Sequence, residues 1–149
     1  MNPTPIRAAI AEALAQRPTF EGVTIERYPR PADSSNSKAL MFGGIPSGDS
    51  ELVDFAGSST VEDYEISMAL WWGRAGGSDD DFAEAETRAV AMFNDFNAWL
   101  DEIGHGKRLT LPGVVVDDMA LVEWSLGFRI TNVTEAEIQF TLAISEVIT

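Results

Sequence analysis

His105 is the only histidine of the chain, and Gly106-Lys107-Arg108 follow it. An imidazole can act as a general base only where a nucleophile or substrate meets it. No Gly-x-Ser-x-Gly elbow or Ser-x-x-Lys pair lies nearby. The cluster fits a helix C-terminus, where cations are favoured, or the rim of a subunit contact. Gly43-Gly44-Ile45-Pro46-Ser47-Gly48 lacks the following Lys-Ser/Thr and the helix start that a phosphate cradle needs. Asp79-Asp80-Asp81 suggests calcium, but the sixth and twelfth positions from Asp79 are Glu84 and Val90, where an EF-hand requires glycine and glutamate. These carboxylates suit the positive end of a helix instead. Asp117-Asp118 reads as a solvated turn. There is no cysteine, which removes disulfides, thiolate metal sites and a cysteine nucleophile. No catalytic residue, cofactor or metal site is expected.

The pair Trp71-Trp72 is of a different kind. Neighbouring strand residues point to opposite faces, so both faces here have something to cover. One tryptophan serves the helices and the other the reverse face or a partner. Trp71 is the candidate for an oligomer or tube interface, with Lys107 and Arg108 as its charged rim.

The elements that position these residues follow from spacing. Thr4 and Pro5 start a helix whose Ile6, Ile10, Ala13 and Leu14 share a face and which Pro18 stops. Val23–Arg27 is a short strand ended by Tyr28-Pro29-Arg30-Pro31. Ala39–Phe42 is another. Residues 44–60 read as a long loop, with room for a short strand at Leu52–Phe55. Tyr64, Ile66, Met68, Leu70 and Trp72 alternate with polar or small residues in a strong strand. Ser78 caps a helix over about 79–103, in which Phe82, Ala85, Ala89, Phe93, Phe96, Leu100 and Ile103 form one stripe and Gly104 follows the end. Leu121–Ile130 carries Val122, Trp124, Leu126 and Phe128 on one face, and Glu135–Val147 closes the chain with a second long strand. The whole, residues 1–149, reads as a single α+β domain: an antiparallel-rich sheet with an N-terminal helix and one long helix packed mainly on one face.

Composition narrows the partners. The 149 residues are 45% hydrophobic, and the formal charge is −14. Residues 1–38 carry a net +1 and residues 39–149 a net −15. Such a body repels a DNA backbone rather than gripping it. No apolar run approaches the ~20 residues of a membrane span, and Met1–Pro5 does not read as the start of a signal peptide.

In its order of elements the chain resembles the tail terminator (tail completion, minor tail) proteins of long non-contractile-tailed bacteriophages. The resemblance rests on the helix through Gln16, the Val23–Tyr28 strand running into a Pro-rich polar loop, the strand Tyr64–Trp72, the Asp-rich start of the helix Asp79–Ile103, and the strands Ala120–Ile130 and Glu135–Val147. It implies a virion protein, assembled in the bacterial host cytoplasm, that forms a hexameric ring at the head-proximal end of the tail. Such a ring stops elongation of the major tail tube protein and offers a joining surface to the head–tail connector proteins. DNA would pass through its lumen without tight binding. The residues alone leave open a small-molecule-binding module or enzyme with Trp71 or Trp72 in a sheet pocket, and an acidic decoy or adaptor that binds basic partners; the resemblance extends to another phage neck or connector protein as well.

Overall fold

Alternating apolar residues and two amphipathic helical stripes produce one sheet covered on one face. The structure is a computed structural model that describes residues 1–29, 38–46, 48–52, 60–103, 109–111, 114–130 and 133–148. The helices are α1 (Pro3–Ala15) and α2 (Asp79–Ile103), and a 3₁₀ turn at Pro18–Phe20 follows α1. The strands are β1 (Thr24–Glu26), β2 (Lys38–Phe42), β3 (Gly48–Leu52), β4 (Thr60–Arg74), β5 (Leu109–Leu111), β6 (Val114–Ile130) and β7 (Thr134–Ile148). They form one sheet of order β1-β2-β4-β7-β6-β5, with β3 also on β4. Among the described residues only the β1–β2 pair is parallel. Register partners run across five strands in rows. One row is Ile25, Leu40, Leu70, Ile138 and Leu126, and the next is Thr24, Ala39, Trp71, Glu137 and Gly127.

A single apolar cluster takes in the buried sides of both helices and one face of the sheet. Ile6, Ile10 and Leu14 of α1 are fully buried in it. From α2, Phe96 and Phe93 meet Phe140 with ring centroids 5.0 and 5.4 Å apart. The expected α+β architecture is therefore present. α2 begins as the Ser78 cap predicts: the Asp81 backbone N–H donates to Ser78 Oγ (3.2 Å), and the Ser78 N–H donates back to Asp81 Oδ2 (3.1 Å). Arg17, beyond the end of α1, donates through Nε and Nη2 to both oxygens of Asp95 at 2.9 Å and so clamps α1 to α2.

Three local expectations change. α1 starts at Pro3, not Pro5, with Asn2 at its cap. Asn2 spends its backbone and side-chain N–H groups on Glu146, while Thr4 accepts a hydrogen bond from the Tyr28 hydroxyl. Residues 48–52 are a strand rather than loop, because the unpaired edge at the start of β4 offers a ladder to any segment running beside it. Gly48 permits the approach: a Cβ there would lie 3.3 Å from the Tyr64 Cβ. Finally, Asp117 and Asp118 are not a turn. They lie within β6, where a bulge between Val116 and Asp118 takes up the extra residue.

Candidate interaction surface

β6 is the strand whose apolar side remains uncovered. α2 lies over β4 and β7, and aromatic contacts extend from it to β6 at two points. Phe93 meets Trp124 at 6.0 Å between centroids, and Phe82 meets Phe128 edge-on at 5.4 Å. Trp124, Leu126 and Phe128 pair with Phe140, Ile138 and Ala136, so they belong to the core side of the sheet. Yet Trp124 is 60% exposed, Phe128 46% and Leu126 36%. A second bulge, between Leu121 and Glu123, leaves Val122 outside the ladder and 53% exposed. β5 pairs only with Val114–Val116. Among the described residues, no strand lies on the outer side of β6 beyond that point. A long apolar ridge therefore borders an open backbone edge.

Among the described residues no helix lies on the reverse face of the sheet, which is mostly polar or small. An open depression of about 390 Å³ crosses it, lined by Gly43, Ser67, Ala69, Ser125, Gln139 and Thr141. Beside it is Trp71, only 9% exposed. The Arg129 guanidinium lies over its ring, 5.5 Å from the centroid. Arg129 also donates through Nη1 to Glu137 (3.0 Å) and approaches Glu135 (3.5 Å from Nε). Burial pushes the Glu135 carboxyl above its usual range; Arg129 opposes this and Glu137 adds to it. Trp72 turns to the helix side and carries Arg88 at 5.9 Å. The two tryptophans thus serve opposite faces, as expected. Lys107 and Arg108, the other residues singled out by sequence, and His105 lie outside the described residues.

Besides Glu135, a second acidic side chain is buried. Glu146 is fully buried and accepts hydrogen bonds from the Tyr64 hydroxyl and the Asn2 backbone N–H, both at 2.9 Å, and from the Asn2 side-chain amide. Burial and this carboxylate hold the Tyr64 phenol well above its ordinary value. Saturated by donors and closed off from solvent, Glu146 anchors the start of α1 to the sheet and is not placed to act as a base. Among the described residues no group of three or more His, Asp or Glu is arranged to hold a metal ion. None of their helices is long and apolar enough to cross a membrane.

Sequence comparison is silent: no family model matches the chain, and no curated protein does. Comparison of folds is not. A chain in the solved virion of a native gene transfer agent particle superposes with a TM-score of 0.56, over 94% of this chain and 92% of that one, at 17% identity. This chain shares the fold of a virion component.

The residues that sequence reasoning did not single out as a site are Trp124, Leu126 and Phe128. Their alternation marks them as one face of a strand. Nothing in it says that the strand lies near an edge and that α2 touches it through Phe82 and Phe93 while leaving much of the ridge exposed.

Proposed function

We propose that the chain is a structural subunit of a phage-like virion: a ring-forming tail terminator, with six copies capping the head-proximal end of the tail tube. The observation that carries this reading is the fold shared with a virion chain across nearly the full length of both. The two helices and the strands on which the resemblance to tail terminators rests have counterparts in α1, β1, β4, α2, β6 and β7, with β2, β3 and β5 in addition. The uncovered ridge on β6 supports a life in an assembly, because an apolar stripe beside an open strand edge is a liability for a free monomer. The charge of −14 suits a collar through which DNA slides without sticking. The role is structural rather than catalytic, with the tube protein on one side of the ring and connector proteins on the other.

Capping explains termination mechanically. A tube grows by head-to-tail addition and does not close by itself. A ring seated on its last layer removes the surface on which the next layer would add. Deletion of the gene should therefore give full heads and overlong tubes that rarely join, visible in electron micrographs of lysates. Tails of normal length in that lysate would overturn the reading.

A further inference from the structure

We propose that the open edge of β6 receives the β1 edge of a second copy of this chain, joined head to tail. This deepens the ring-subunit reading, on which it rests, by naming the surfaces through which copies meet.

Two opposite edges of the sheet carry the features of a matched contact. Of the six large apolar residues exposed among the described ones, four (Val122, Trp124, Leu126 and Phe128) line the β6 edge. A fifth, Tyr28, stands just past the end of β1, at the far edge. The rows of the sheet bring these edges level. Thr24 is in the row of Gly127, Ile25 in that of Leu126 and Glu26 in that of Ser125. The directions agree as well. β1 is parallel to β2, β2 antiparallel to β4, β4 to β7 and β7 to β6, so β1 runs opposite to β6. A neighbour displaced sideways along the sheet therefore presents β1 antiparallel to β6 and at the right height to extend the ladder.

Charge decides for a second copy in this orientation. The exposed Arg27 follows β1 by one residue, level with Trp124 and next to the height of the exposed Glu123. Residues 1–38, which supply the β1 edge, are the stretch with net charge +1, against −15 for the remainder. A head-to-tail contact also leaves one free edge at each end of a chain of copies until rotation closes it, which is the geometry of a ring.

Cysteine cross-linking of the full chain tests this without background, since the chain has no cysteine. Thr24→Cys and Gly127→Cys change aligned positions, and a Cβ at Gly127 meets nothing within 4 Å. Under mild oxidation the double variant should give a ladder of disulfide-linked multimers, and each single variant none. A covalent dimer from Gly127→Cys alone would mean a β6–β6 contact and overturn the proposal, as would the lack of a ladder. Trp124→Asp should move assembly, followed by light scattering, to at least tenfold higher concentration with an unchanged circular dichroism spectrum. Unaltered assembly would count against it. A ladder together with normal tails in the deletion lysate would keep this contact and remove the capping role. Overlong tails without a ladder would do the reverse.

Discussion

Arg129 lies with its guanidinium 5.5 Å from the centre of the Trp71 ring while bonding Glu137, so one cation covers an aromatic face and neutralises a carboxylate. The same cation is the neighbour of Glu135, a group whose burial raises its pKa. A carboxyl raised in the folded state favours folding at low pH, and that advantage is lost as pH rises through the folded value. Glu135→Gln should therefore stabilise the protein at pH 7, with the gain vanishing below the ordinary carboxyl range near pH 4. Urea titrations of both proteins across pH check this. A variant less stable than the parent at pH 7 would show that the ion pair outweighs the burial.

Asp95 behaves in the opposite sense. Its hydrogen bonds from Arg17 hold its pKa below the usual value. Its contribution is full above the unfolded value and disappears as pH falls through the folded one. Asp95→Asn should cost about 1 kcal/mol at pH 7, since the pair is partly exposed. The deficit should shrink between pH 7 and a pH well below the usual aspartate range, because the carboxyl is there protonated in the folded and the unfolded protein alike. An equal deficit at both pH values would mean that the loss is not electrostatic.

Phe96 is fully buried, 5.0 Å from Phe140 and 5.8 Å from Trp99 between centroids. Phe96→Ala should cost about 3–5 kcal/mol, the range for emptying a packed aromatic site. A loss below about 1 kcal/mol in denaturant titration would mean that α2 does not hold the sheet as described.

Gly76 has φ +119°, and a Cβ there would sit 2.2 Å from Asp81 Oδ2, the oxygen that bonds the Ser78 N–H and hydroxyl. Gly76→Ala should cost at least 1 kcal/mol, through backbone strain and loss of this cap together. Ser78→Ala, which removes the cap alone, should cost less. The order of the two melting temperatures is the readout, and the reverse order would refute the argument.

Much of this architecture is written in local pattern. The stripe from Phe82 to Ile103, the Ser78 cap and the acidic first turn define α2 completely, because a helix declares itself within its own turns. β4 and β7 are equally plain from alternation. β3 is not, since Gly48-Asp49-Ser50-Glu51-Leu52 has no strand pattern and pairs because β4 offers it an edge. The candidate surface is half legible. The face shared by Trp124, Leu126 and Phe128 follows from a period of two, but its exposure depends on strand order and on where a helix from elsewhere in the chain comes to rest. Trp71 and Trp72 are assigned to opposite faces by adjacency alone, whereas the Arg129 cover over Trp71 joins residues 58 positions apart that no local rule connects.

β4 and β7 remain in register over fifteen consecutive pairs, from Thr60–Ile148 to Arg74–Thr134. That is a seam roughly 50 Å long at ~3.4 Å per residue. Tension applied along it loads all of its cross-strand bonds in parallel, so they must fail together. Tension applied across one end peels them singly. The subunit is thus anisotropic as a mechanical part: stiff to shear along its strands and weak to tearing from an edge. An edge paired to the strand of another chain would be protected against the second kind of load.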